Sequence, residues 1–168
     1  MSLSTRSRRE RQLHRLLTLA RQGDLEALRV LADNVGADLW RVAALLTDES
    51  DASELVAATM QVALEPRTGM PPLGEVRLHL LRQLYGLATG WPRTGDGLLS
   101  VLSLPHRAFH ALTQVGGLTH VQVAAVCHVD VSTVRAGCAA ARSILANRHR
   151  PAGHRSDEAH VPERSLDS

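Results

Sequence analysis

The feature that most constrains the fold is the spacing of the aliphatic residues, which follow a helical period along most of the chain. In "ADLWRVAALL", for example, one helix face would carry Leu39, Val42, Leu45 and Leu46. Hydrophobic residues make up 44% of the chain but aromatic residues only 2%, so a core must be built from Leu, Val and Ala. A β-sandwich would draw on β-branched and aromatic residues instead. The sequence therefore predicts an all-α fold.

Glycine, proline and short polar residues divide this pattern into separate helices. Gly23 closes a first helix, and Asp24 is placed to cap the second. After the turn "TDES", either Ser50 or Asp51 can cap the helix "ASELVAATMQVAL". The stretch "EPRTGMPPLG" is a loop, because its prolines and glycines cannot continue a helix. Helical spacing then resumes over about 75–88.

The segment "TGWPRTGDG" is the clearest break in the helical pattern and predicts a domain boundary. We predict a first helical domain over 1–90, a linker over 91–97 and a second helical domain over 98–147. The remaining residues, 148–168, are polar and charged with few apolar anchors, which predicts a disordered tail. Because the linker is short, we expect the two domains to pack together through the apolar segment "LLSVLSL".

Charge and cysteine content narrow the class of protein only slightly. A net charge of +2 does not by itself predict nucleic-acid binding. Cys127 and Cys138 form neither a disulfide framework nor a CxxC motif, which favours a reduced, cytoplasmic protein. No stretch has the apolar length of a signal peptide or a membrane span, so we expect no membrane partner.

Residues 118–142, "LTHVQVAAVCHVDVSTVRAGCAAAR", predict two short helices joined by a tight turn. Asp130 is placed to cap the second of these helices. The first helix is expected to bury Leu118, Val121, Val123, Ala124 and Val126, and the second to bury Val131, Val134, Cys138, Ala141 and Leu145. Such a pair is typical of a helix-turn-helix, whose second helix can enter a DNA major groove. An αα-hairpin with no nucleic-acid role has the same pattern.

A longer stretch, "LLSVLSLPHRAFHALTQVGGLTHVQVAAVCHVDVSTVRAGCAAARSIL", resembles the C-terminal promoter-reading domain of extracytoplasmic-function sigma factors of bacterial RNA polymerase. The matching positions include Leu104-Pro105, Arg107, Gly117-Leu118, Ala124, Val129, Thr133-Val134, Ala141-Arg142 and Leu145. The stretch "ARQGDLEALRVLADNVGADLWRVAALLTDESDASELVAATMQVAL" resembles the polymerase-binding domain of the same family. Its matches include Gly23-Asp24, Ala27, Leu31, Leu39, Ala43, Leu46, Asp51-Ala52 and Glu54-Leu55-Val56.

The resemblance implies a transcription regulator that binds the RNA polymerase core and promoter DNA, with an anti-sigma factor or another regulatory protein as a candidate partner. Polymerase would do the chemistry, so this chain would be no enzyme and would need no cofactor. The first domain would dock on polymerase through Asp51, Glu54 and Leu55 and open the promoter element called −10. The second would place its last helix in the major groove at −35, with contacts from Thr119, Gln122, Ser132, Thr133, Arg135 and Arg142.

The chain departs from the family pattern on these same surfaces. At the positions where the family uses an aromatic residue, Arg and Asn to hold the unpaired bases of the −10 element, this chain has His79, Tyr85 and Gly86. Of these three residues, only Tyr85 could stack on an unpaired base. Two positions of the last helix that are usually basic in the family carry Gly137 and Ala140 in this chain. The eight residues between Thr89 and Leu98 reach roughly 28 Å when fully extended, whereas promoter elements about 25 base pairs apart lie roughly 85 Å apart.

Two other hypotheses therefore stay open beside that of a sigma factor. The first is a degenerate sigma fold that acts as a protein-interaction module for an anti-sigma factor, another sigma factor or a polymerase subunit. The second is a helix-turn-helix repressor unrelated to polymerase, which would act as a dimer. If the two domains pack together through "LLSVLSL", we expect the last helix to be covered until a partner releases it.

The remaining chemistry-bearing residues support weaker predictions. Cys127, Cys138 and several histidines, among them His106 and His110, lie close in sequence, but a closed zinc site needs four converging ligands, so we predict no metal site. No glycine-rich phosphate loop or nucleophile with a nearby base is present. The arginine-rich start "RSRRER" is either a nucleic-acid contact or a solvated helix end.

Overall fold

The computed structural model of this protein describes residues 3–92 and 99–148. The helices in these ranges are α1 (Leu3–Arg21), α2 (Leu25–Leu46), α3 (Glu49–Leu64), α4 (Val76–Thr89), α5 (Leu104–Gln114), α6 (His120–Cys127) and α7 (Val131–Arg148), with a short 3-10 helix (Pro66–Thr68) after α3. No strand occurs in the part of the chain described, so the predicted all-α fold is confirmed. Most of the predicted linker, 93–97, and the predicted tail from 149 onward lie outside the described residues.

Two of the predicted helix boundaries can be compared with the structure in atomic detail. Asp24 caps α2 as predicted, since its side chain accepts a hydrogen bond of 3.0 Å from the backbone N–H of Ala27. The predicted cap of α3 is wrong, because Asp48 occupies the N-cap position and Ser50 and Asp51 lie in the first helical turn. The reason is that the backbone N–H of Asp51 already donates to the carbonyl of Asp48, at 3.0 Å.

The two predicted domains share one continuous buried core. α2 lies at its centre and packs against α1, α3, α4 and α5, while α6 packs against α4. The core is almost entirely aliphatic, and its fully buried large side chains include Leu13, Leu17, Leu31, Leu39, Leu46, Leu55, Leu80, Leu81, Leu84 and Leu112. Leu99 and Leu102 are buried in a small cluster that packs against Leu45 of α2. The expected packing of the "LLSVLSL" segment on the first half is therefore confirmed.

Two arginines link the halves through backbone carbonyls. Arg107, which is buried, donates from Nη1 to the carbonyl of Leu46 at 3.1 Å and from Nη2 to that of Leu102 at 3.3 Å. The carbonyls at the end of a helix lack an intrahelical partner, so this guanidinium satisfies the end of α2. Arg77 of α4 donates to the carbonyl of Gly116, at 2.7 Å. Both contacts hold the C-terminal half against α2 and α4.

Within the described ranges, no single helix is both long and apolar enough to cross a membrane. α6 and α7 reach that composition only when they are taken together, across a bend of 104°.

Candidate nucleic-acid interface

The start of α6 is fixed by a reciprocal pair of hydrogen bonds. The Thr119 hydroxyl accepts from the backbone N–H of Gln122 at 3.3 Å, and the Gln122 side-chain oxygen accepts from the backbone N–H of Thr119 at 3.0 Å. This capping box satisfies two N–H groups that have no partner within the helix. Thr119 and Gln122, both predicted DNA contacts, therefore hold each other at the first turn of α6.

A three-residue turn connects α6 to α7 and sets the angle between them. His128 adopts the left-handed conformation, with φ 55° and ψ 46°. The backbone N–H groups of His128 and Val129 both donate to the carbonyl of Ala124, which ends α6. The chain bends by 104° between the two helices. This angle lies within the range of about 90–120° that helix-turn-helix motifs adopt, and DNA binding stays a prediction.

The inner face of α7 packs on α5 and α6. Its buried residues are Val134, Gly137, Cys138 and Ala141. A Cβ atom added to Gly137 would lie 2.4 Å from Cδ2 of the Phe109 ring, a distance too short for any side chain. The glycine is thus required for close packing of α7 on α5. Position 137 therefore faces the core and does not belong to the outer face of α7.

The outer face of α7 brings four predicted DNA-contacting residues together. Ser132, Thr133, Arg135 and Arg142 are all exposed, and the small residues Ala136 and Ala139 lie exposed between them. Neither Arg135 nor Arg142 has a carboxylate partner among the described residues. The expectation that this helix is covered by the first half is wrong, because α7 packs mainly on α5 and α6 through its opposite face. The side chain of Val121 at the start of α6, expected in the core, is 64% exposed.

Of the three α4 residues that the resemblance assigns to the −10 element, His79 is buried, Tyr85 is half-buried and Gly86 is exposed. His79 is only 8% exposed, and burial lowers its pKa, with the positive charges of Arg21 and Arg82 acting in the same direction. Tyr85 is half-buried and contacts the Cys127 thiol of α6. Burial raises the pKa of that thiol to about 12. Tyr85 therefore packs against the core and is only partly exposed.

The residues predicted to dock on polymerase divide between surface and core. Glu54 is exposed and Asp51 is half-buried at the start of α3. Leu55 is fully buried and packs α3 onto the core, so its predicted role as a surface contact is wrong for this conformation. The exposed Ser53 between them accepts a hydrogen bond of 3.2 Å from Nε1 of Trp40. Asp51, Ser53 and Glu54 thus form the polar edge of α3.

Cys127 and Cys138 are free and buried. Across 3–92 and 99–148, no three His, Cys, Asp or Glu side chains converge as metal ligands would. Comparison with protein-family models, with curated proteins and with solved structures finds no match to this chain. A function must therefore be argued from the site itself, since one fold can serve many functions.

Proposed function

We propose that this protein is a sigma-factor-like regulator of transcription that acts in the cytoplasm, binds DNA through the outer face of α7 and catalyses no reaction. The observation that supports the proposal is the exposed group formed by Ser132, Thr133, Arg135 and Arg142 on a helix that meets α6 at 104°. Guanidinium groups form bidentate hydrogen bonds with phosphates and with guanine. Serine and threonine hydroxyls can bond to either base edges or phosphates.

The order of these residues along α7 indicates how the roles would divide. In helix-turn-helix proteins the N-terminal residues of the second helix contact base edges. Ser132, Thr133 and Arg135 hold that position here, and Arg142 lies two turns later, about 10 Å further along the helix axis. Arg135 is thus suited to a base contact and Arg142 to a phosphate contact. Ala136 and Ala139 between them allow the helix backbone to lie close to the groove.

The burial of His79 and Tyr85 limits the proposal to duplex DNA. Stacking on unpaired bases needs an exposed aromatic side chain. In the packed arrangement Tyr85 contacts Cys127 instead, so we assign no strand-opening role to α4.

The proposal is tested by fluorescence anisotropy with duplexes selected by the wild-type protein from a randomised library. We expect Arg135→Ala to weaken binding to the selected duplex by about 1–3 kcal/mol and to relax the preference for it over a scrambled duplex. Arg142→Ala should weaken binding to both duplexes alike, because a phosphate contact carries little sequence information. Arg67→Ala, which removes an exposed arginine far from α7 in sequence, is the control. Wild-type binding that neither α7 variant changes would contradict the proposal.

A second candidate function is docking on a protein, which the polar edge of α3 favours. Asp51 and Glu54 offer carboxylates there, and charged groups form the stronger hydrogen bonds at an interface. Titration with purified RNA polymerase core tests this candidate. We expect Asp51→Ala with Glu54→Ala to weaken binding, whereas Glu26→Ala with Asp33→Ala, an equal change of charge on α2, should leave it intact. Equal effects of both pairs would exclude a specific role for α3.

A further inference from the structure

A cleft of about 720 Å³ lies where the two halves of the molecule meet. The first half contributes residues of α1, α2 and the start of α4, and the second contributes the turn before α6 and the first turn of α6. We call this space, bordered by Arg9, Glu75 and Gly117, the α1–α6 cleft. Ligand sites in proteins have volumes of about 300–1,000 Å³ and often lie between two packed units. The size and place of the cleft are therefore those of a site for a small molecule.

Part of the wall of the α1–α6 cleft is apolar. Leu13 of α1 and Leu118 before α6 are buried, and Leu78 of α4 is half-buried. Val115 is 39% exposed at the edge of the cleft. An apolar ligand group placed here would remove Leu78 and Val115 from water, which is favourable. The wall therefore fits a ligand that has an apolar body.

Three of the charged side chains around the cleft already hold its walls together. Arg77 donates to the carbonyl of Gly116 at 2.7 Å, and its Nε lies 3.7 Å from Oδ2 of Asp38. Glu10 accepts a hydrogen bond of 3.1 Å from the backbone N–H of Val76, the first residue of α4. A carboxylate at the N-terminus of a helix is stabilised by the helix dipole. The charges of Arg77, Asp38 and Glu10 thus serve the fold.

The other two charged side chains of the cleft, Arg9 and Glu75, are exposed and have opposite charges. Arg9 donates from Nη2 to the carbonyl of Asn34 at 3.0 Å, and a guanidinium has five N–H donors. Within the described ranges, no carboxylate pairs with Arg9 and no basic group pairs with Glu75. The Glu75 side chain does not cap α4 either. The cleft therefore offers one guanidinium and one carboxylate beside its apolar wall.

We propose that the α1–α6 cleft binds a zwitterion with an apolar side chain, either a free amino acid or a short peptide. Arg9 would hold the carboxylate of the ligand, because guanidinium groups form bidentate hydrogen bonds with carboxylates. Glu75 would accept hydrogen bonds from the ammonium group, and the leucines of the wall would contact the apolar side chain. The lining residues in the described part of the chain include none of α7, so the site is separate from the proposed DNA-binding face.

The charges of the cleft argue against two other classes of ligand. A phosphate-bearing ligand would meet the carboxylates of Glu10, Asp38 and Glu75, and like charges placed together are unfavourable. An uncharged apolar ligand would leave both Arg9 and Glu75 without a partner and would displace water from them. A zwitterion compensates both charges.

The test is an NMR titration of the isotope-labelled full chain, followed through the backbone amide signals of Gly116 and Gly117 in the cleft. The probes are leucine and the dipeptide leucyl-leucine, each also with its amine acetylated or its carboxylate converted to an amide. We expect at least one zwitterion to shift both glycine signals. Each blocked form should bind about tenfold more weakly, because it loses a charge-assisted contact. The zwitterion that binds more tightly tells whether the ligand is a free amino acid or a peptide.

Variants of the two charged residues assign each contact. Glu75→Gln should weaken binding of the zwitterion about tenfold and leave that of the acetylated form unchanged, because the variant and the blocked probe remove the same contact. Arg9→Gln should have the same relation to the amide form. The control is Glu65→Gln with Arg67→Gln, which changes one acidic and one basic residue at exposed positions outside the cleft lining. It should bind as the wild type does.

Three outcomes would overturn this inference. The first is that no probe shifts the signals of Gly116 and Gly117 at up to about 10 mM, which is ten times a Kd of about 1 mM. The second is that the blocked forms bind as tightly as the zwitterions. The third is that the control variant loses as much affinity as Glu75→Gln and Arg9→Gln do. The titration contains no DNA, so each of these outcomes leaves the proposed function standing.

Discussion

The two helices that the resemblance assigns to DNA, α4 and α7, differ in what they expose. On α4, His79 is almost fully buried and Tyr85 packs against Cys127 of the second half. On α7, Ser132 and Arg135 face solvent, while the apolar and glycine residues face α5 and α6. The difference arises because α4 packs against α1, α2, α3 and α6, whereas the outer face of α7 remains uncovered.

The comparison teaches that a surface is defined by its neighbours as much as by its own residues. Arg77 and Arg107 hold the halves together through the carbonyls of Gly116 and Leu46. While these contacts persist, α4 packs into the core and the outer face of α7 stays exposed to solvent. Changes that weaken the packing between the halves should therefore alter α4 more than α7.

The largest effect is expected from Arg107→Met, which removes the buried link between α5 and α2. A buried carbonyl left without a donor costs about 1–3 kcal/mol, and Arg107 serves two of them. We expect a clear loss of stability in urea unfolding, together with increased exposure of Tyr85. Arg77→Met removes one hydrogen bond and a partly exposed ion pair with Asp38 at 3.7 Å, and should cost less because the position is less buried. Equal losses in the two variants would contradict the central role of Arg107.

The next prediction compares the change in stability caused by alanine at a buried glycine of α7 and at an exposed glycine of α4. Gly137→Ala places a Cβ atom 2.4 Å from the Phe109 ring, and overpacking of this kind costs about 1–3 kcal/mol. Gly86→Ala meets nothing within 4 Å and should stabilise the protein by about 0.5–1 kcal/mol, because glycine is a poor helix former. Thermal unfolding followed by circular dichroism measures both. A stabilising Gly137→Ala would show that α7 does not pack closely on α5.

A pH-dependent effect is expected from His79 of α4. Burial lowers its pKa in the folded protein, so below about pH 6.5 the unfolded state binds a proton that the folded state does not. Stability should therefore fall as pH falls, by up to about 1.4 kcal/mol per pH unit from this residue. Replacement by an apolar side chain, His79→Leu, should flatten the urea-unfolding profile between about pH 7 and about pH 5. An unchanged profile would mean that His79 is accessible to water.

The smallest effect is expected from Tyr85→Phe. The change removes only the hydroxyl group near the Cys127 thiol, and we expect a loss no larger than the roughly 0.5–1.5 kcal/mol of a single hydrogen bond. Duplex affinity, measured by anisotropy, should not change, because Tyr85 does not face DNA in the proposed mode. A loss of duplex affinity in this variant would show that Tyr85 belongs to the DNA interface and not to the core.

The sequence predicts the exposed and buried faces of a helix through the helical period of its apolar residues. The helical period separates Ser132 and Arg135 from Val134 on α7, because this helix is long enough to define a face. α6 has only 8 residues and apolar side chains on several faces, so periodicity could not tell that Val121 would be exposed. Leu55 has the spacing of a core residue, and its assignment to a docking surface came from the resemblance alone.

The features that the sequence did not predict depend on contacts between distant parts of the chain. In the sequence, Gly137 stands where the family usually has a basic residue. In the folded chain, this position lies against the Phe109 ring and has no room for a side chain. The burial of Tyr85 depends on α6, which lies beyond the boundary where the sequence predicts a separate domain.

The most direct test of the difference between α4 and α7 is thiol labelling of Ser132→Cys and His79→Cys, with and without duplex DNA. Both native cysteines are buried, so the wild-type protein provides the background rate. We expect Ser132→Cys to react as fast as a thiol in an unstructured peptide and to be protected by duplex. His79→Cys should react only as fast as the protein unfolds. Rapid labelling of His79→Cys that duplex suppresses, with Ser132→Cys unaffected by DNA, would contradict the account.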